Sequence, residues 1–224
     1  MKRILSFFLT LVLTAALLCP AALAVNETAA KDRDWVYITL DPGHGGDGAG
    51  GNDSGAVNEK YGYQEADLVL KIGLYLKEEL ETYRNVHVDM TRSDRYGTSA
   101  TAPLSKVENR VLYAAEQCSD LLVSLHLNSA GSNQSVHGGL ILASNGNYDP
   151  DCAKVIDAVG TNILAQLSRL GIDTSRGLIK EGSHDGTTYP NGKLADYYGI
   201  VRYGQLRHIP AMIAFVIYLI AGNA

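Results

Sequence analysis

Apolar residues follow two different spacings along the chain, and segments of the two kinds alternate. Short runs rich in β-branched residues are typical of strands, whereas apolar positions three and four residues apart indicate amphipathic helices. Helices that connect successive strands favour parallel pairing. The sequence therefore predicts an α/β fold, a single domain with a mostly parallel, twisted sheet flanked by helices on both faces. The predicted strands are 36–41, 86–91, 121–126, 139–143, 198–202 and 212–219, and the predicted helices are 65–83, 104–118 and 149–170.

Two of the predicted strands end in a histidine or just before one. The first continues into Asp-Pro-Gly-His-Gly-Gly at 41–46, which places His44 between glycines, and the strand 121–126 ends in His126. Glycine lacks a Cβ, so the backbone can turn sharply here and a ligand can approach the imidazole. Because ligands of parallel sheets gather at the carboxyl ends of the strands, we expect the two histidines to share one site.

Glu65 begins the predicted helix 65–83 and lies on its apolar stripe. A carboxylate on a core-facing stripe is costly unless it is paired or binds a cation. Taken singly, each residue has an ordinary explanation, either a hydrogen-bonded histidine or an acid that stabilises a helix start. Three such side chains on separate elements favour a metal site formed by His44, Glu65 and His126. The stripe consists of Val69, Ile72, Leu76, Leu80 and Tyr83.

The chain resembles the zinc-dependent N-acetylmuramoyl-L-alanine amidases of family 3, which cut the bond between muramic acid and the stem peptide of bacterial peptidoglycan. The resemblance spans roughly 35–218 and implies that His44, Glu65 and His126 bind Zn²⁺. Two imidazoles and one carboxylate leave zinc a fourth position for water, as in catalytic sites. The landmarks occur in the family's order, at 41–46, 65–68, 91–92 and 124–128.

The family's last strand carries a catalytic glutamate in a pattern reading Pro-Ala-x-x-x-Glu-x-Gly. Here Phe215 occupies the glutamate position and Ile217 the glycine position, so the catalytic residue stays unassigned. Three explanations remain open: a non-catalytic protein that binds zinc and the wall, a truncated or frame-shifted tail, or another acid such as Glu181 or Asp185. The altered tail is favoured, because the lost acid, glycine and closing helix occur together.

Several further residues are candidates for supporting roles. Asp41 and Asn128 could orient the imidazoles or touch substrate. Arg92 and Arg110 could each pair with a stem-peptide carboxylate, although structural salt bridges are favoured. The polar and aromatic segment 177–198 is expected to line the substrate cleft, and the glycine-rich segment after His44 to form its rim. The remaining candidate ligands are expected at the surface or rim, namely His137, His184 and His208.

The first 24 residues have the features of a secretory signal peptide. Lys2 and Arg3 precede the apolar run 4–18, and Ala22-Leu23-Ala24 follows it. The run is too short for a stable membrane anchor. We therefore expect cleavage near Ala24, a short tether at 25–34, an amidase domain at 35–224 and a secreted protein that acts at the cell wall.

The net charge bears on the possible binding partners, and the cysteines bear on disulfide formation. The net charge of −5 becomes −7 without residues 1–24, which hold two basic residues and no acidic ones. Nucleic acid is therefore an unexpected partner. Peptidoglycan is the partner that the resemblance implies, and a monomer is the expected state. Cys118 and Cys152 could pair in an oxidising compartment, or both could be buried free thiols.

Overall fold

A computed structural model describes residues 34–46, 52–59, 61–98, 101–127 and 137–217. Within these residues the helices are α1 (Glu65–Leu80), α2 (Val107–Glu116), α3 (Pro150–Arg169) and α4 (Gly199–Leu206). The strands are β1 (Val36–Pro42), β2 (Gly45–Gly46), β3 (Asn52–Asp53), β4 (Val57–Asn58), β5 (Tyr63–Gln64), β6 (Val86–Met90), β7 (Leu121–Leu127), β8 (Gly138–Ala143), β9 (Leu178–Lys180) and β10 (Ala211–Ile217).

The main sheet has six strands in the order β6-β1-β7-β10-β8-β9. Strands β6, β1, β7 and β10 pair in parallel, and only the β10–β8 pairing is antiparallel. The carboxyl ends of β1, β7 and β10 are therefore adjacent at one edge of the sheet. Two short ladders, β2–β3 and β4–β5, lie in the segment between β1 and α1.

The helices cover both faces of the sheet. Side chains of α1 and α3 share one apolar cluster with Val123, whereas side chains of α2 and α4 share a second cluster with Leu122. Successive residues of a strand point to opposite faces, so β7 contributes to both clusters. This arrangement confirms the predicted fold class.

Two elements near the C-terminal end differ from the prediction. The predicted strand 198–202 is wrong, because α4 begins at Gly199 and runs to Leu206. Its buried residues are Ile200, Val201, Gly204 and Gln205, a helical spacing that places one face on α2 and β10. The β-branched pair Ile200-Val201 favoured a strand locally, and tertiary packing overrode that preference. Strand β9 was not predicted, because it is only three residues long and lies in a polar segment.

Some predictions concern residues that the structure does not describe. The signal peptide, the tether up to residue 33, Asn128 and the tail from residue 218 lie outside the described ranges. None of the helices within those ranges has the length and apolar character needed to cross a membrane. Cys118 and Cys152 are both free thiols, the first half-buried and the second buried.

Candidate metal centre

Three elements deliver the three predicted ligands to one place. His44 follows β1, His126 lies in β7, and Pro42 pairs with Leu125 in the parallel ladder between these strands. Glu65 is the first residue of α1, directly after the β4–β5 hairpin. Its backbone N–H donates to Ala56 O at 2.8 Å, and Ala56 N–H donates back to Glu65 Oε2 at 3.0 Å. This reciprocal pair anchors the start of the helix beside the strand ends.

Two glycines make room for the imidazole rings. A Cβ at Gly43 would lie 2.3 Å from Cε1 and Nε2 of His126, so this ring packs directly on the backbone of β1's end. A Cβ at Gly55 would lie 2.6 Å from His44 Cδ2 and 2.7 Å from Glu65 Oε2. His44 itself has a φ of 59°, an uncommon value for a residue other than glycine. Gly43, predicted to give access to His44, therefore makes room for the ring of His126. Gly55, which the sequence patterns did not single out, makes room for His44.

One oxygen of Glu65 faces both imidazoles. Glu65 Oε1 lies 3.0 Å from His44 Nε2 and 3.0 Å from His126 Nδ1. The same oxygen accepts the backbone N–H of Leu127 at 2.8 Å. Glu65 is 3% exposed, which confirms the burial predicted from the apolar stripe. The geometry thus brings together all three predicted metal ligands.

These contacts fix the charge of the carboxylate. Burial favours the neutral form of Glu65, but hydrogen bonds with His126 and His44 outweigh it and hold the pKa of this carboxyl well below its usual range. Burial also lowers the pKa of His44, but its hydrogen bonds with Glu65 and Asp53 outweigh that effect and raise the pKa overall. An ionised carboxylate is the form that binds a cation.

The donor set fits a divalent transition metal. One ligand atom from each of His44, Glu65 and His126 can be chosen so that all three lie within 4.8 Å of one another. Two imidazole nitrogens and one carboxylate oxygen are characteristic zinc ligands, and three protein ligands leave a coordination position open.

Asp41 has a different role from the one predicted. Its side chain is 1% exposed and accepts hydrogen bonds from Thr91 Oγ1 at 2.6 Å, Ser124 Oγ at 2.6 Å and Arg110 Nη1 at 2.7 Å. Both oxygens are thus engaged by groups other than an imidazole. The carboxylate that contacts the other ring nitrogen of His44 is that of Asp53, whose Oδ2 lies 2.8 Å from His44 Nδ1.

The two arginines stabilise the backbone around His44. Arg92 is fully buried and donates to the carbonyls of Pro42, Gly43, Ala66 and Asp94 at 2.7–2.9 Å. Pairing of Arg92 with a stem-peptide carboxylate is therefore incompatible with its burial. Arg110 forms the predicted salt bridge, with Asp41, and also donates to His44 O at 2.9 Å.

A cavity of about 450 Å³ adjoins the three ligands. Phe215 lies in its wall, opposite His126 in the β7–β10 ladder, with the two ring centroids 5.3 Å apart. The position that the family pattern assigns to a catalytic glutamate is therefore at the site, and it carries a half-buried aromatic ring. The wall away from the ligands also includes Leu140, Leu142, Arg176, Ile179 and Tyr198.

The two alternative acids differ in their access to this cavity. Glu181 hydrogen-bonds Tyr198, a residue of the cavity wall, and burial together with this bond raises the pKa of Tyr198 to about 12. Asp185 accepts hydrogen bonds from Ser183 and Thr187 within its own turn. Of these two acids, Glu181 has the direct contact with a residue of the cavity wall.

The segment 177–198, predicted to line the cleft, does so only in part. Ile179 and Tyr198 from the segment 177–198 line the cavity, whereas Tyr189 and Asp196 are buried and bonded to each other at 2.7 Å. Arg176 lies just before that segment and was missed. Its position after helix α3 gives no local signal that it lines the cavity. The three remaining histidines are exposed, as predicted: His137, His184 and His208.

Comparisons with known proteins identify the family and agree with the fold. A sequence model of the family described as N-acetylmuramoyl-L-alanine amidase matches residues 38–202, and Phe215 lies beyond that match. N-acetylmuramoyl-L-alanine amidase AmiC from Escherichia coli O6:H1 is 36% identical over 128 residues, which is 57% of this chain and 27% of that protein. The chain therefore spans about a quarter of the length of this curated relative.

Solved structures share the fold. The CwlD amidase from Clostridioides difficile, solved in complex with the GerS lipoprotein, has a TM-score of 0.56 and 20% identity, covering 83% of this chain and 84% of that one. An N-acetylmuramoyl-L-alanine amidase from Clostridium difficile 630 has a TM-score of 0.54 and 22% identity, covering 81% of each chain. With the family model matching well over half of its length, the chain belongs to the N-acetylmuramoyl-L-alanine amidase family.

Proposed function

We propose that this protein is a secreted, zinc-dependent hydrolase that cleaves the amide between N-acetylmuramic acid and L-alanine of peptidoglycan. The observation that carries the proposal is the convergence of His44, Glu65 and His126 within a chain of the amidase family. The leader at residues 1–24 supports export to the wall. Peptidoglycan is the proposed substrate, because it is the substrate that the family name implies.

His44, Glu65 and His126 can bind the metal ion that this chemistry needs. When bound, zinc would supply an activated water and a Lewis acid for the amide carbonyl. Glu65 is ionised, and its oxygens are oriented by the backbone N–H groups of Ala56 and Leu127. The imidazoles of His44 and His126 are 23% and 20% exposed, so they are accessible from the cavity while Glu65 is not. A substrate amide can therefore approach from the cavity side.

Proton transfer to the leaving amine needs a side chain that can carry a proton. Position 215, where the family pattern has glutamate, holds phenylalanine. Phenylalanine can neither accept nor donate a proton, which favours a second candidate function, a non-catalytic protein that binds zinc and peptidoglycan. Among the acids of the described residues, Glu181 offers a route to turnover, because it hydrogen-bonds Tyr198 in the cavity wall. Activity of the wild-type chain that is lost in Glu181→Gln would support that route.

The first experiment pairs metal analysis of the purified protein with release of stem peptides from purified peptidoglycan, with and without a chelator. We expect one zinc per chain, and we expect His44→Ala and Glu65→Ala to lose it. His87→Ala and Glu78→Ala are matched controls on the exposed surface and should retain it. Undiminished zinc in both ligand variants would refute the ligand set. Zinc without peptide release would support the binding protein over the hydrolase.

A second experiment tests position 215. We expect the double substitution Phe215→Glu with Ile217→Gly to raise the rate of stem-peptide release, because the new carboxylate would adjoin His126. General acid–base catalysis contributes about 10²–10⁴-fold to rates. Phe215→Gln with Ile217→Gly is the control, because it has the same size without the ionisable group. A folded, zinc-loaded double variant with no gain over this control would contradict the role assigned to the position.

A further inference from the structure

We propose that Asp53 is a positioning residue for the metal centre, which fixes the tautomer and orientation of His44 so that Nε2 is presented to the ion. This inference rests on the proposed metal site, and not on the identity of the substrate. Asp53 lies in the glycine-rich segment after His44, and it takes the role that the sequence suggested for Asp41.

The contacts of Asp53 determine the tautomer. Asp53 Oδ2 lies 2.8 Å from His44 Nδ1, and Asp53 Oδ1 accepts the backbone N–H of Gly55 at 3.0 Å. Glu65 Oε1 lies 3.0 Å from Nε2, and both carboxylates can only accept hydrogen bonds, so in the metal-free ring each nitrogen faces an acceptor. A metal bound at Nε2 needs the lone pair of that nitrogen, and the proton of the neutral imidazole is then on Nδ1 and is donated to Asp53 Oδ2. Metal-bound histidines commonly use such an acceptor on the other nitrogen.

The backbone places Asp53 beside His44 through a short ladder. Gly45 pairs with Asp53 between β2 and β3, so the residue after His44 is directly opposite the carboxylate. Gly55 then passes close to His44, where any Cβ would collide with Cδ2 at 2.6 Å. The imidazole is therefore in contact with Asp53, Gly55 and Glu65. These three neighbours hold the ring of His44 in one orientation. The backbone of His44 has a positive φ, which is uncommon for histidine.

The same short segment also holds the carboxylate ligand. Asp53 contacts His44, and three residues later the N–H of Ala56 donates to Glu65 Oε2 at 3.0 Å. The segment 53–56 thus orients two of the three ligands from one side. Asp41 cannot replace Asp53, because its oxygens are engaged by Thr91, Ser124 and Arg110.

The test compares Asp53→Leu, which removes the acceptor, with Asp53→Asn, which keeps an acceptor oxygen without the charge. Zinc affinity is measured by competition with a chromophoric chelator, and the tautomer of His44 by ¹⁵N–¹H spectra of its ring. We expect Asp53→Leu to weaken zinc binding by about 10–100-fold and to yield mixed tautomers. Asp53→Asn should keep the Nδ1–H tautomer and lose less affinity. Glu59→Gln removes the same charge from an exposed position nearby and should change neither quantity.

Unchanged affinity and tautomer in Asp53→Leu would overturn the proposal. Weakened binding with the wild-type tautomer would also overturn it, because Asp53 would then act only on the loop. Should Asp53→Leu fail to fold, Asp53→Ala removes the same acceptor with a smaller side chain, and unchanged zinc affinity and tautomer in that variant would be the contrary result. A wild-type chain that binds no zinc would remove the metal site and this inference together. Zinc binding without peptide release would remove only the proposed hydrolase function.

Discussion

Glu65 Oε1 is surrounded by three nitrogen atoms, from the imidazoles of His44 and His126 and the backbone of Leu127. A buried carboxylate that receives several hydrogen bonds is stabilised in its charged form, and the lowered pKa of Glu65 reflects this. The two imidazoles present different nitrogens, Nε2 from His44 and Nδ1 from His126. Each ring therefore needs its own orienting contacts. Asp53 provides them for His44, and close packing on Gly43 provides them for His126.

The packing on Gly43 gives a prediction at the residue scale. We expect Gly43→Ala to weaken zinc binding by more than about tenfold, because the new Cβ would overlap the His126 ring and displace it from Glu65. Zinc titration of the folded variant measures this. Gly62→Ala is a stringent control, because Gly62 has a φ of 67° and the substitution strains the backbone, but its Cβ would meet nothing within 4 Å and should leave the zinc affinity unchanged. Equal zinc affinity in Gly43→Ala and wild type would contradict the proposed placement of His126.

At the scale of elements, α3 illustrates how local sequence and local structure agree. The helix was predicted from Asp149-Pro150 and from apolar residues four positions apart, and it forms from Pro150 to Arg169. Asp149 Oδ1 accepts the N–H groups of Asp151 at 3.1 Å and Cys152 at 3.0 Å, and proline tolerates the first helical position. Helix α4 is the contrary case, because eight residues with β-branched members give a weak helical signal and packing decides the outcome.

The cap on α3 predicts a pH-dependent stability. Burial raises the pKa of Asp149, but hydrogen bonds from Cys152 and His208 outweigh it and lower the pKa overall. A lowered pKa in the folded state means that the stabilisation is present above the unfolded value of about 4 and is lost as pH falls through the folded pKa. We expect Asp149→Ala to reduce the free energy of unfolding by about 1 kcal/mol near neutral pH. Denaturant titrations at several pH values should show this difference shrinking in acid.

The control for this prediction is Asp151→Ala. Asp151 is an exposed acid in the same first turn, with a contact to Lys154 at 2.8 Å, but it does not cap the helix. Exposed ion pairs contribute about 0–1 kcal/mol, so its removal should have the smaller effect. A difference between wild type and Asp149→Ala that persists unchanged in acid would show that the charge of Asp149 is not what stabilises the helix.

At the scale of the whole molecule, the order of strands creates the site. β1, β7 and β10 are neighbours and run in parallel, so His44, His126 and Phe215 meet at one edge. The buried pair Asp41–Arg110, 2.7 Å apart, joins β1 to α2, and Arg110 also bonds His44 O. Removing one member of such a pair leaves an uncompensated buried charge. Asp41 and Arg110, next to the candidate metal centre, are therefore buried polar residues that are held by hydrogen bonds.

The sequence by itself determined the features that depend on residues close together in the chain. Strand and helix periodicity, the cap at Asp149, the buried position of Glu65 and the two strand-end histidines all follow from short-range patterns. These were enough to predict the fold class and three residues that the structure brings together. The resemblance to the amidases also identified Phe215 as a departure from the family pattern.

The tertiary structure alone decided which distant residues meet. It gave the acceptor role to Asp53 rather than Asp41, buried Arg92 among backbone carbonyls and placed Arg176 and Tyr198 in the cavity wall. It also packed Phe215 against His126 and formed α4 in place of a strand. Each of these contacts depends on strand order, loop paths and competition for buried hydrogen-bond partners. Such long-range effects have no fixed spacing in the sequence, so periodicity and motifs could not reveal them.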